Sequence, residues 1–189
     1  MRPGQSGRIG DWQLGGPPHC FVLGLVLLVR GRWSLLKTIT AFTVAHSIAL
    51  AAAALGYVHV SPSVIESLVA LSMVFVAVEL ARSLRGHDGL TIQYPWLIAF
   101  TFGLLHGFAF AGSLADIGLP PHNIPGALLL FNCGVEIGQL IFVTAVLLLI
   151  AVLRRVTRPT AASFGRWAAA YGIGALASYW MFERLTVFL

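Results

Sequence analysis

Charged residues are scarce in this chain. Only 10% of its 189 residues are Asp, Glu, Lys or Arg, while 58% are hydrophobic. Soluble domains carry about 25% charged residues, so the composition excludes an ordinary soluble domain and indicates an integral membrane protein. The apolar stretches have the length of helices rather than that of the alternating strands, about 10 residues long, that build membrane barrels.

Cysteines and catalytic motifs are also few. The two cysteines, Cys20 and Cys133, show no C-x-x-C spacing, and we expect both to pack within or near the membrane. The sequence contains neither a G-x-x-x-x-G-K-[ST] phosphate loop nor an H-E-x-x-H protease motif. We therefore predict that the protein is not an enzyme, and that any ATP use belongs to a partner.

The chain is predicted to form one transmembrane domain, residues 1–189, that begins with a polar tail at 1–17 and continues with long apolar segments. The segments are about 18–29, 38–57, 62–81, 95–115, 124–153 and 167–188. A membrane-spanning helix needs about 20 residues, so the first segment is too short to be regular. The sequence predicts an all-α, polytopic membrane helix bundle of about six transmembrane helices, the first one short or irregular.

The basic residues alternate between the connections, which accounts for the net charge of +5. Those of the first, third and fifth connections are Arg30, Arg32, Lys37, Arg82, Arg85, Arg154, Arg155, Arg158 and Arg166. The second and fourth connections carry no Lys or Arg. The positive-inside rule then places connections one, three and five in the cytoplasm and both termini outside. Nucleic acid is not needed to explain the charge.

Three polar side chains lie in the middle of the fifth segment. Asn132, Glu136 and Gln139 follow one another at i, i+4 and i+7, within about 60° of each other around a helix. A carboxylate at membrane depth costs at least ~2.5 kcal/mol, and such groups usually face a bundle interior or a pathway. We therefore expect Glu136 to face the interior of the bundle or a pathway.

Small residues at helical spacing mark two faces for close packing. Gly103, Gly107 and Ala111 form one ladder in the fourth segment, and Gly134 and Gly138 form another on the fifth. Small residues four apart let a second helix approach closely. We expect helix contacts at both.

Two histidines lie at about the depth of Glu136. His46 and His106 are nine and eleven residues inside the cytoplasmic ends of their segments, and Thr43 shares the face of His46. Imidazoles with a carboxylate suit borderline divalent ions such as Ni²⁺, Co²⁺ or Zn²⁺. Because His and Glu also titrate, a proton relay is an alternative.

The remaining charges have simpler interpretations. Glu79 is one turn from Arg82, so it either forms an ion pair with Arg82 or joins the polar site. Glu66 lies near the start of its helix, where the helix dipole stabilises a carboxylate. Glu183 and Arg184 near the chain end are typical of interface anchoring.

Four motifs, in order, resemble the HupE/UreJ membrane proteins over about residues 19–185. They are TAFTVAHS at 40–47, IESLVALS at 65–72 with VAVE at 76–79, FGLLHGFAFA at 102–111, and FNCGVEIGQL at 131–140. The resemblance implies a six-helix bacterial inner-membrane protein associated with hydrogenase or urease maturation and regarded as a nickel permease. On that basis the polar motif positions are His46, Glu79, His106, Asn132 and Glu136.

The first segment departs from the family pattern. The family carries an Asp-His pair there; His19 fits the histidine, and Pro18 stands where the aspartate belongs. The resemblance thus adds His19 to the candidate ligands.

The first hypothesis is a permease for Ni²⁺, or Co²⁺, moving metal into the cytoplasm with no permanently bound cofactor. The candidate metal ligands are His46, His106, Glu136 and His19, with Asn132, Gln139, Thr43 and Glu79 as supporting polar groups. Its partners are the lipid bilayer, the metal and, by resemblance, hydrogenase or urease maturation proteins. The alternatives are a non-transporting accessory protein that docks a maturation complex, and a His/Glu proton relay.

Overall fold

The described part of the chain is entirely helical. The computed structural model describes residues 17–117, 124–156 and 159–186, which form seven helices and no strand. The helices are α1 (Pro17–Leu28), α2 (Arg32–Ala54), α3 (Pro62–Leu84), α4 (Leu90–Gln93), α5 (Pro95–Ile117), α6 (Ile124–Val156) and α7 (Pro159–Leu185). The predicted all-α bundle with a short first helix is confirmed. Apart from Pro17, the predicted polar tail lies outside the described residues, as does Arg158.

Within the described ranges, three helices have the length and apolar composition needed to cross a membrane. The qualifying stretches are Arg32–Ala54, Pro62–Leu84 and Gly126–Leu153, and shorter apolar stretches occupy His19–Leu28 and Pro95–Ala111. The chain is therefore a membrane protein built as a helical bundle.

Prolines and glycines set the helix boundaries. Prolines begin four helices, at Pro17, Pro62, Pro95 and Pro159, because proline at the first helical position loses no hydrogen bond and its φ already suits a helix. Gly56 and Gly86 follow the ends of α2 and α3 with φ of 79° and 84°. Only glycine adopts that left-handed backbone without strain, so the chain turns there.

Helix α1 lies at the centre of the bundle. Phe21 and Leu25 pack against α3 in the largest apolar cluster, and Leu28 packs against α3 and α7. Gly24 faces Val76 so closely that an added Cβ would lie 2.5 Å from Val76 Cγ1. At 1.5 Å per residue the 12-residue helix is about 18 Å long, shorter than a bilayer core of about 30 Å.

Helices α2 and α5 form the most extensive contact. A Cβ added to Gly103 would lie 2.6 Å from the carbonyl oxygen of Phe42, and one added to Gly107 would overlap the carbonyl oxygen of His46. Ala111 packs against the apolar cluster around Leu50. The predicted close contact along the first ladder is confirmed, and it brings the backbones that carry His46 and His106 together.

Helix α6 lies against α1 and α2 with one face and is otherwise largely exposed. Val143 packs with Val22 and Ile39 on that face. A Cβ added to Gly134 or Gly138 would meet nothing within 4 Å. Across the described ranges, the expected helix contact at this second ladder is therefore not found.

The first, third and fifth connections meet at one end of the bundle. Arg30 Nη1 lies 3.4 Å from Asp88 Oδ1, which joins the first connection to the third. Arg166, near the start of α7, donates from Nη2 to the carbonyl oxygen of Leu27 at 3.5 Å. This shared end is the one that the alternation of basic residues predicts; we call it the basic end and the opposite one the outer end.

Candidate functional site

Two buried histidines share an aromatic pocket between α1, α2 and α5. His46 is 2% exposed and His106 is 1% exposed. The ring of Phe42 lies between them, 6.1 Å from His46 and 5.3 Å from His106 by ring centroids. Phe21 lies 4.9 Å from His106, and Phe110 lies 5.3 Å from His46. The sequence-predicted pair is thus brought into one pocket.

A hydroxyl from α3 fixes the orientation of His106. Ser72 Oγ donates to the carbonyl oxygen of Val69 at 2.7 Å and lies 3.3 Å from His106 Nε2. A serine hydroxyl has one proton, so in the second contact the imidazole donates from Nε2–H to Ser72. In this tautomer His106 Nδ1 carries no proton and keeps its lone pair.

Helices α2 and α6 touch at two levels. Nearer the basic end, Thr43 Oγ1 lies 3.4 Å from Gln139 Oε1 and 3.2 Å from the carbonyl oxygen of Ile39, which share its one proton. Nearer the outer end, Leu50 and Leu128 pack in one apolar cluster. Because α2 and α6 run in opposite directions, the residues between these two contacts lie in a common layer.

Unpartnered polar atoms lie in that layer on both helices. His46, on α2, has buried Nδ1 and Nε2 atoms, and Asn132, on α6, has a buried Oδ1. None of the three has a hydrogen-bond partner among the described residues. Leaving a buried polar group unpaired costs about 1–3 kcal/mol, and buried polar groups are normally satisfied. Such an arrangement is typical of a site that binds a ligand.

Glu136 is exposed rather than buried inside the bundle. It lies only about 20° around α6 from Val143, which packs against α1 and α2, so the direction of its helix face does not explain the exposure. A Cβ added to the neighbouring Gly134 or Gly138 would meet nothing within 4 Å, so little of the described structure packs on α6 at this level. Among the residues described, no three His, Cys, Asp or Glu side chains are close enough to hold a metal ion. The role of each predicted ligand, Glu136 included, stays a prediction.

His19 lies apart from the two buried histidines. It is exposed, and its ring contacts Phe142 of α6 edge-on, with centroids 5.1 Å apart. His19 is nine residues from Leu28, so it lies about 13 Å from the end of α1 that faces the basic end of the bundle. His19 is therefore at mid-depth on the α1–α6 side of the bundle.

Glu79 holds the third connection rather than pairing with Arg82. It is 4% exposed, and its Oε2 accepts a hydrogen bond from the backbone N–H of Thr91 at 3.0 Å. Gly89 packs so tightly on the carboxylate that it leaves no room for a Cβ. No Glu79–Arg82 ion pair forms within the described ranges. Glu79 is seven residues from Ser72, about 10 Å along α3, and so lies outside the histidine pocket.

An ion pair at the outer end was missed by sequence reasoning. Arg184 Nε lies 3.1 Å from Glu66 Oε2, and the two side chains are 10% and 30% exposed. The sequence had suggested a helix-dipole role for Glu66 and interface anchoring for Arg184, and neither interpretation predicts this contact, which joins the last turns of α7 to the start of α3. The alternation of basic and non-basic connections could have indicated it, because that alternation places these two helix ends on the same side of the membrane.

The comparison with protein families is decisive for the class of the chain. The family model described as HupE / UreJ protein matches residues 14–184, most of the sequence. The chain belongs to the HupE/UreJ family. No curated protein and no solved structure matches it.

Membership in the HupE/UreJ family indicates the broad class of function. This is a metal permease and accessory family rather than an enzyme class. The matched region includes the whole histidine pocket and every candidate ligand from His19 to Glu136. The HupE/UreJ bundle therefore offers a buried nitrogen- and oxygen-bearing site within a membrane protein.

Proposed function

We propose that the protein is a permease that carries a divalent transition metal, Ni²⁺ or Co²⁺, through the bundle, with His46 and His106 as its central ligands. The observation that carries this proposal is the pair of unpartnered ring nitrogens of His46, in the layer that also holds the unpartnered Asn132 Oδ1. A histidine with a purely structural role would have a partner for at least one nitrogen.

The donor set suits the proposed cargo. His46 and His106 Nδ1 supply imidazole nitrogens and Asn132 supplies an amide oxygen, ligands that favour borderline divalent ions. The exposed Cys133 lies outside the pocket, so thiolate ligation typical of Cu(I) has no part in the proposal. Glu136, one turn along α6 from Asn132, adds the charge that favours a cation at this depth. A few weak ligands also suit transport, since a carrier site must release its ion.

The membrane potential is sufficient to drive inward movement. A divalent cation gains roughly 4.6 kcal/mol per 100 mV on moving to the negative side, so ATP hydrolysis is not required. We place the basic end in the cytoplasm, in line with the positive-inside rule, with both termini outside the bacterial inner membrane. The family association supports hydrogenase or urease maturation as the destination of the metal.

The direct test is uptake of radioactive nickel by proteoliposomes that contain only the purified chain. We expect uptake that increases with an inside-negative potential and is reduced by Co²⁺, but not by Mg²⁺, a hard ion that holds its water. Empty liposomes and a His46→Ala/His106→Ala double variant are the controls. Uptake equal to that of empty liposomes would overturn the proposal.

The same preparation separates the two alternatives. A pH dye enclosed in the liposomes reports proton entry, and proton flux without nickel flux would support a His/Glu relay. Absence of both fluxes, together with binding of maturation proteins that depends on Arg155, would support an accessory role.

A further inference from the structure

A partly open cavity lies at the outer end of the bundle. Its volume is about 360 Å³, and it is bounded by the end of α2, the connection that follows, the start of α3 and the outer half of α5. Ala53, Ile65 and Phe108 contribute apolar walls. Among its described lining residues, the polar side chains that can bind a cation are those of His59 and Glu66.

The cavity leads toward the buried histidines. Ala109, in its wall, is three residues from His106, about 4.5 Å along α5. Ile65, in the opposite wall, is seven residues from Ser72, about 10 Å along α3. An ion in the cavity would therefore be about two helical turns or less from the histidine pocket.

Glu66 is held in place by Arg184. Arg184 Nε lies 3.1 Å from Glu66 Oε2, and the Glu66 side chain is 30% exposed. The guanidinium opposes a cation at this carboxylate by charge repulsion. Such opposition keeps binding weak, which a site at the start of a transport path needs.

We propose that His59 and Glu66 form an outer capture site, which binds a divalent transition cation before it moves inward to His106. This inference rests on the proposed function and adds an entrance to it. One imidazole nitrogen and one carboxylate oxygen bind the ion, and water completes its coordination. Arg184 acts as a competitor for Glu66 and sets the affinity.

The competition predicts opposite effects for the two partners of one ion pair. Glu66→Gln removes a ligand, so the half-saturating nickel concentration should rise about tenfold with little change in maximal flux. Arg184→Gln breaks the same ion pair but leaves the carboxylate, so the half-saturating concentration should fall about threefold, the size expected from a partly exposed charge pair. A purely structural ion pair would give both variants the same direction of change.

The experiment measures initial nickel uptake into proteoliposomes over a range of external nickel concentrations. The parent is compared with Glu66→Gln, Arg184→Gln, Arg184→Lys and His59→Gln, and detergent melting curves confirm folding. His59 is exposed, so His59→Gln is expected to fold and to weaken capture as Glu66→Gln does. Arg184→Lys keeps the charge and should stay near the parent. Shifts of the same sign in Glu66→Gln and Arg184→Gln, or an unchanged His59→Gln, would overturn the capture site.

A binding measurement separates failure of this site from failure of transport. Equilibrium dialysis with nickel alone is carried out on purified His46→Ala/His106→Ala protein, which retains His59 and Glu66. We expect one weak nickel site that disappears on adding His59→Gln. That result supports the capture site even if the parent shows no uptake, whereas absence of any such site rejects it even if the parent transports nickel.

Discussion

Ser72 Oγ accepts a hydrogen bond from His106 Nε2, 3.3 Å away, and thereby couples α3 to the histidine pocket. The hydroxyl proton is committed to Val69, so the serine cannot donate to the ring. The imidazole is thus held as one tautomer with Nδ1 free of a proton. Orientation of a ligating histidine by a partner on its other nitrogen is common in metal sites.

Replacing Ser72 by Ala should release this constraint. We expect the nitrogen NMR spectrum of labelled His106 to change from one dominant tautomer to a mixture, and nickel uptake to fall by about tenfold, within the range seen when such partners are removed. Ser67→Ala is the matched control, because Ser67 also bonds a backbone carbonyl of α3, that of Ser63, with no histidine attached. An unchanged tautomer in the Ser72 variant would contradict the assignment.

Gly107 should tolerate a methyl group far less well than Gly134. A Cβ at Gly107 would overlap the His46 carbonyl oxygen, so Gly107→Ala forces α2 and α5 apart and should lower stability by about 1–3 kcal/mol. Gly134→Ala meets nothing within 4 Å and gains up to about 1 kcal/mol in helix propensity. Melting curves in detergent measure both. Equal destabilisation would show that α6 is covered at Gly134 in the folded protein.

Much of the fold follows from local sequence properties. The long apolar segments predict the long helices, and the spacing of Gly103 and Gly107 predicts a close helix contact, which the structure makes with α2. Helix α4 has only four residues, too few for a periodic pattern, and no signal predicts it. The central position of α1 could not be predicted from the sequence either, because it depends on packing against several helices at once.

The sequence predicted the depth of the site residues in the membrane but not which of their side chains are buried. Counting residues along each segment placed His46 and His106 at one level, and the structure puts both against Phe42. A helical wheel gives the angles between side chains of one helix, not the levels at which a neighbouring helix covers it. Glu136 was therefore expected to face the interior or a pathway, whereas it is exposed, because little of the described structure packs on α6 around Gly134 and Gly138.

Glu79 should stabilise the third connection through its bond to Thr91. Glu79→Ala leaves a buried backbone N–H without a partner and should cost about 1–3 kcal/mol, whereas Glu79→Gln keeps an accepting oxygen and should cost less. Amide hydrogen exchange at Thr91 should accelerate in the Ala variant. Arg82→Ala is the control and should stay within about 0.5 kcal/mol of the parent, because Arg82 is exposed and forms no ion pair with Glu79 among the described contacts. A larger effect at Arg82 would restore the rejected ion pair.

Glu136 can be tested by charge alone. Because its side chain is exposed, Glu136→Gln should leave the melting temperature unchanged, while the loss of negative charge beside the Asn132 layer should lower metal uptake about tenfold, or about 1.4 kcal/mol on the crossing barrier. Glu183→Gln, an exposed carboxylate near the end of α7, serves as the control and should transport normally. A Glu136→Gln protein that carries nickel at the parent rate would remove this residue from the path.

His46→Leu separates a ligand from a packing residue most clearly. Leucine is close in size to histidine and has no polar atom, so the substitution removes two buried unpartnered nitrogens and fills the space beside Phe42 and Phe110. If His46 exists to bind metal, stability should be unchanged or rise by up to about 1–3 kcal/mol, while nickel uptake falls by at least about tenfold. His106→Leu, in contrast, also loses the bond to Ser72 and should gain no stability. Melting curves and nickel uptake are measured on the same preparations of the two variants. A His46→Leu protein that is less stable than the parent yet transports nickel normally would show that His46 is a structural residue.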